Sequence, residues 1–161
     1  MPFRNFRMWR GRLPHWRADD VTYLVNFRHR RPLSEDECQV VLASILRGEG
    51  TRISLICACS LPAETNVILA CLATKPGTKD FGDFIEKAKI KAGKRIIIRT
   101  GERYSPLGTE SYDRIIRDES EFEEHWLTIT SAPVEAGLVE ESDEWPGFWA
   151  KAEEINPQFP R

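Results

Sequence analysis

Apolar residues recur along this chain with a period of two, then with helical spacing, then with a period of two again. The order of those switches restricts the fold. VTYLVNFR (21–28) puts Val21, Tyr23, Val25 and Phe27 on one face, the pattern of a strand. In the next segment Ser34 and Glu37 have capping-box spacing, with Leu33 and Cys38 at the hydrophobic-staple positions. Cys38, Val41, Leu42, Ile45 and Leu46 follow at helical spacing, and Gly48 or Gly50 supplies a stop, so a helix is expected over 34–47. TRISLICACSL (51–61) and NVILACLAT (66–74) read as strands, joined by PAET, short enough for a hairpin. Phe81, Phe84, Ile85 and Ala88 give a second helix over about 80–92, ended by Gly93, and RIIIR (95–99) reads as a short buried strand. The order β-α-β-β-α-β is the split-βαβ, ferredoxin-like pattern. It predicts an α+β fold: an antiparallel sheet with helices on one face, plus a C-terminal helix.

That last helix has its own signals. TGERYSPLGTESYD is turn-rich, Asp118 is a cap with Glu121 at the capping-box position, and Phe122, Trp126 and Ile129 form a stripe. Pro133 marks where the helix is expected to end. The expected organisation is a basic, aromatic arm (1–20, extended or looped), one domain (21–150) and a tail (151–161). The aromatic cluster Trp145, Phe148 and Trp149 reads as docked on the sheet, or as a surface for a protein partner.

A net charge of −2 conceals a strong asymmetry. Arg4, Arg7, Arg10, Arg12, Arg17, Arg28, Arg30 and Arg31 crowd the front against Asp19 and Asp20. Lys87, Lys89, Lys91, Lys94, Arg95, Arg99 and Arg103 form a second basic block, and acids dominate from Asp118 onward. A basic front with interleaved aromatics points to a polyanion, with the acidic tail turned away; an unevenly charged solvated surface is the plainer reading. No apolar run approaches the roughly 20 residues of a membrane span, and the Arg-rich start has no apolar core of a secretory signal. Cys38, Cys57, Cys59 and Cys71 form no CxxC pair and lack zinc spacing; small buried thiols in a reducing cytosol are expected.

The segment SYDRIIRDESEFEEHWLTITSAPVEAGLVEESDEWP (111–146) resembles the C-terminal signature of the REP-associated tyrosine transposases, part of the HUH single-tyrosine family. That signature runs as a Tyr-Asp-Arg-x-Ile-Arg-Asp turn, a helix ending in Tyr-Ile-x-x-Asn-Pro-Val-x-Ala-Gly, and Asp-Trp-Pro. LPHW (13–16) and YLVNFR (23–28) are similar to the family's opening, so the resemblance covers about residues 9–150. It implies the same ferredoxin-like topology. It also implies cleavage of single-stranded DNA by a tyrosine phenolate beside a metal held by a His-hydrophobic-His triplet and a third ligand one turn after the tyrosine.

Here the frame persists and the chemical groups differ. The triplet position holds Glu64-Thr65-Asn66, the nucleophile position Thr128 and the third-ligand position Ala132. A threonine alkoxide is harder to generate and to expel than a phenolate. The resemblance therefore implies a transposase-like nucleic-acid-binding protein without catalysis or cofactor. Its expected partner is a DNA hairpin or single-stranded DNA, with RNA as a second option. The expected contacts are Arg4, Arg7, Arg10, Arg12, His15, Trp16, Lys87, Lys91, Lys94, Arg95, Arg99, Tyr112, Arg114 and Arg117. The family also implies a prokaryotic, cytoplasmic or nucleoid setting, and monomer or homodimer. Two alternatives stand beside it. One is an active single-strand endonuclease or transposase using Glu64 and Asn66 as a weak Mg²⁺ or Mn²⁺ site, with Tyr112 as a displaced nucleophile. The other is an accessory protein-interaction subunit of a nucleoprotein complex.

Overall fold

The computed structural model describes residues 4–10, 14–19, 22–47, 53–71, 81–152 and 159. Its strands are β1 (Arg4–Arg10), β2 (Pro14–Asp19), β3 (Thr22–Arg28), β4 (Ile53–Ser60), β5 (Glu64–Cys71), β6 (Tyr112–Ile115) and β7 (Phe148–Ala150). Its helices are α1 (Glu35–Leu46), α2 (Phe81–Thr100) and α3 (Glu119–Glu135), with a short 3-10 turn at Ser142–Glu144. The main sheet has the order β6-β3-β5-β4-β7, antiparallel throughout. Its first four strands are the split-βαβ arrangement with β7 added beyond β4. The arm expected to be extended or looped is a separate hairpin, β1 with β2, and β2 lies alongside β6.

The sheet divides its side chains between two layers. Phe27 of β3 lies under Lys89 of α2, whose Nζ is 5.0 Å from the ring centroid. Ser60 of β4 is hydrogen-bonded by Cys38 of α1. Phe27, Thr65 and Ser60 are aligned across the strands, so α1 and α2 cover the same face. The opposite face carries Cys57, Cys59 and Ile68, all buried, and α3 contacts the strands that bear them. Burial pushes the Cys57 and Cys59 thiols up to about 12 and that of Cys38 to about 11, so all three are packing groups.

Helix α1 starts as its sequence predicts. Ser34 Oγ accepts from Glu37 N (3.2 Å), Glu37 Oε1 accepts from Ser34 N (2.9 Å), and Leu33 and Cys38 are buried. The other two helices run past their expected ends. Gly93 does not stop α2: it is buried where a Cβ would lie 2.5 Å from Ser105 Oγ, so it makes room for the following loop. The 95–99 segment, expected as a strand, is helical. Its three isoleucines are spread around the helix: Ile96 is buried below Ala92 while Ile98 is 82 % exposed. The fourth strand of the pattern is instead Tyr112–Ile115, inside the stretch read as turns. Helix α2 ends at Gly101 (φ +74°), whose N–H donates to Ile97 O at 2.8 Å.

Pro133, expected to end α3, lies inside its last turn. There its ring removes one i→i−4 hydrogen bond, the one to Ile129 O, without ending the helix; the stop is a Schellman motif on Gly137 (φ +72°). Gly137 N donates to Val134 O (2.9 Å) and Leu138 N to Pro133 O (3.0 Å). At the other end Asp118 Oδ1 accepts from Glu121 N (2.8 Å) as expected, but the Glu121 carboxylate takes the Arg117 N–H (3.0 Å) rather than that of Asp118.

Arg31 ties α1 to the end of α2. Its guanidinium donates to both Glu37 oxygens (2.9 and 2.6 Å) and, through Nε, to Glu102 Oε2 (3.0 Å). The Arg31 hydrogen bonds hold the Glu37 carboxyl down at about 2, against an ordinary 4.5. Arg31→Ala should lower stability by about 2 kcal/mol near neutrality, since it leaves a buried carboxylate unpaired. The folded value lies below the unfolded one, so this contribution is complete above about 4.5 and vanishes as pH falls toward 2. Urea melts of both proteins at pH 7 and pH 3 check it; a gap that does not narrow in acid would contradict the linkage.

Candidate nucleic-acid interface

Strand alternation assembles one polar group on the α3 side of the sheet. Asn26 of β3 is paired with Asn66 of β5 on one flank and with Tyr112 of β6 on the other. Side chains directly opposite across strands point to the same face. Glu64 lies two residues from Asn66 and joins them. The three strand ends are therefore neighbours because of register alone.

Asn26 holds the group together. Its Nδ2 donates to Glu64 Oε2 (2.9 Å) and to Asn66 Oδ1 (2.8 Å). An amide nitrogen facing two oxygen acceptors sets its own orientation. Glu64 and Asn66, the two residues at the expected ligand positions, are thus bridged by a donor. Among the described residues no group of three or more His, Cys, Asp or Glu is placed to hold a metal ion.

The α3 positions complete the picture. Thr128 is exposed, and its Oγ1 donates back to Glu124 O at 2.9 Å within its own helix. Ala132 is half-buried against the core. His125 faces Glu121 (Nε2–Oε1, 3.7 Å). His29 is structural: burial lowers its pKa, Nδ1–H donates to Pro62 O (2.8 Å), and Nε2 meets Thr65 Oγ1 at 2.9 Å. The Thr65 hydroxyl itself donates to Ser60 Oγ at 3.0 Å.

The expected contact residues fall into separate sets. Tyr112 is half-exposed beside Asn26. Arg114, on the same strand, is hydrogen-bonded to Tyr112 and donates through Nε to Glu121 Oε1 (2.5 Å), which raises its pKa. Arg117 is exposed at the start of α3. Lys91, Lys94, Arg95 and Arg99 are exposed on α2 with Lys87, in the layer on the other side of the sheet. Arg4, Arg7, Arg10, His15 and Trp16 are in the hairpin whose second strand runs beside β6, and only their backbone is described. Arg12 lies outside the described residues.

Sequence reasoning did not single out a cleft next to Tyr112. Asn26, Arg28, Arg30, Thr109, Glu110 and Tyr112 line about 590 Å³ of it, with Phe27 and Gly108. Gly108 N donates to Arg28 O (3.2 Å), and a Cβ there would lie 2.7 Å from that oxygen, so only glycine lets the loop come this close to β3. Lys89 of α2 braces the other end of the wall, donating to Glu110 O (3.3 Å) and Ser111 Oγ (3.2 Å). One signal was available: an asparagine in the middle of an otherwise apolar strand has poor strand propensity and needs partners.

The sequence matches no family model and no curated protein. Among solved structures the chain is similar to a REP-associated tyrosine transposase bound to a REP hairpin. That alignment has a TM-score of 0.65 over 92% of this chain and 97% of the other, at 16% identity. It also aligns with a protein of Deinococcus radiodurans R1 assigned as a transposase (TM-score 0.45, 14% identity, 74% of this chain and 95% of that one). Identity this low speaks for the fold: this chain has the α+β architecture of the tyrosine transposase, a five-stranded antiparallel sheet with three helices.

Proposed function

We propose that this protein binds structured or single-stranded nucleic acid, a DNA hairpin first, on a transposase-like scaffold that does not cut it. The single observation that carries the absence of cleavage is the Asn26 bridge. In a cutting enzyme of this design two ligands on one strand face hold a cation. Here both positions are joined by N–H donors, and a cation would have to displace them. Glu64, Asn66 and Ala132 do not fit a divalent ion in this arrangement: one carboxylate, one amide oxygen and a methyl group are too few donors. The Thr128 hydroxyl is spent on Glu124 O within its own helix.

The binding half of the reading rests on fold and charge. The similar transposase holds a REP hairpin. On this chain an Arg-rich hairpin lies beside the strand that carries Tyr112. Among the described residues no helix is long and apolar enough to cross a membrane.

Titration of labelled DNA hairpins at increasing salt tests it. Binding should fall roughly a thousandfold between 50 and 200 mM salt if about six phosphates are contacted. No binding to any hairpin or single strand would end the proposal. One observation favours a second reading: Tyr112 stands directly across from Asn26 on the Glu64 side of the sheet. A covalent protein–DNA adduct formed with Mn²⁺ and abolished by Tyr112→Phe would establish that reading and overturn the first.

A further inference from the structure

We infer that this protein associates with itself head to tail, the outer face of α2 on one copy seating against the outer face of α3 on the next. Both helices hold large apolar side chains out in water. On α2 these are Ile90 and Ile98, the second 82 % exposed, about two turns apart on one side. On α3 they are Leu127, 64 % exposed, and Val134, again about two turns apart, with Leu138 exposed just past the helix end. At about 1.5 Å of rise per residue the two pairs span about 12 Å and about 10.5 Å, so they can lie side by side. A single exposed apolar residue is ordinary on a protein surface, but an aligned row is the kind of patch that marks a contact.

Charge selects what covers each row. No acid occurs between Glu86 and Glu102, a stretch in which Lys91, Lys94, Arg95 and Arg99 are all exposed. By helical spacing Lys94 lies between Ile90 and Ile98, with Lys91 and Arg95 along one side. The α3 row is the reverse. No Lys or Arg occurs between Arg117 and Lys151, and the exposed Glu123, Glu124 and Glu135 flank Leu127 and Val134. Each row is therefore apolar with a border of one sign, and the two signs are opposite. A contact of two α2 rows, or of two α3 rows, would set like charges against each other, whereas α2 on α3 matches both the apolar and the charged groups. Within one molecule the sheet lies between the two helices, so the match is made only between copies. The contact joins different surfaces of its two partners. Each added copy keeps one unmatched α2 or α3 row at the end of the chain, so assembly continues past two.

The test is sedimentation velocity of the full chain over a rising concentration series, after nuclease treatment so that nucleic acid cannot bridge copies. The average mass should grow past that of a dimer, and about 0.5 M salt should reverse most of the growth, because the bordering charges are exposed and screened. Ile98→Glu on α2, and Leu127→Gln with Val134→Gln on α3, should each leave a monomer at every concentration. All three positions are exposed, so both variants should melt where the parent does. An equimolar mixture of the two variants is the deciding arm. One supplies an intact α3 row and the other an intact α2 row, so the mixture should settle at twice the monomer mass and go no further. A parent that stays monomeric throughout the series, or that stops at a dimer, would overturn the proposal. So would growth that persists in either variant, or a mixture of well-folded variants that fails to pair.

Discussion

Gly147→Ala should destabilise the protein by about 3 kcal/mol, a drop of roughly 10 °C in melting temperature. A Cβ at this position would lie 2.3 Å from Ser60 O, 2.7 Å from Trp145 Nε1 and 3.1 Å from Cys38 Cβ. Two of these are atoms of one hydrogen-bonded knot: Trp145 Nε1 donates to Ser60 O (2.7 Å) and Ser60 N donates to Gly147 O (2.7 Å). The first bond buries the indole nitrogen, so losing it leaves a donor without a partner. The knot also sets β7 beside Cys57–Cys59, so the added methyl pushes apart a strand pair as well. Thermal denaturation followed by circular dichroism measures the effect. A melting temperature within 2 °C of the parent, roughly 1 kcal/mol or less, would show that this corner yields easily.

The second large effect is expected at Asn26. Asn26→Asp turns the bridging donor into an acceptor and sets a second carboxylate against that of Glu64. Two hydrogen bonds are lost and two like charges meet, for about 3 kcal/mol at neutral pH. A divalent cation should recover part of that loss, because three oxygen donors would then converge where N–H groups now sit. The check is the melting temperature in EDTA and in millimolar Mn²⁺. The variant should rise by several degrees with the ion while the parent should not respond. A variant as stable as the parent in EDTA would mean that the Asn26 bridge contributes little.

What the chain disclosed in advance was local. Ser34 and Glu37 report the start of α1 because a capping box is a contact between near neighbours. The alternation of Tyr23, Val25 and Phe27 reports β3 for the same reason. Two of the errors were tertiary. Ile96, Ile97 and Ile98 carry high strand propensity, but core contacts with one of the three were enough to keep them in α2. Gly93 looked like a stop because its real role, admitting Ser105, involves a residue from another element. Gly101 and Gly137 are the true stops, and only backbone angles separate them from Gly93. At the site, Glu64 and Asn66 were visible through the family resemblance, and their i, i+2 spacing put them on one strand face. Asn26 was not, because it lies 38 residues from Glu64 and 40 from Asn66 in sequence, and register alone unites them. The cleft has no sequence pattern, being made by a loop laid over a strand end.

The placement of α2 has a consequence for stoichiometry. Its cations, Lys91, Lys94, Arg95 and Arg99, are on the opposite side of the sheet from Tyr112 and Arg28. A rigid DNA stem seated on one side leaves the other side's charge uncompensated. On the proposed function, basic groups on both sides of a molecule whose net charge is −2 let it link separate polyanions when it is scarce and coat each of them when it is abundant. Light scattering of a mixture should therefore pass through a maximum as protein is added, rather than climb to a plateau.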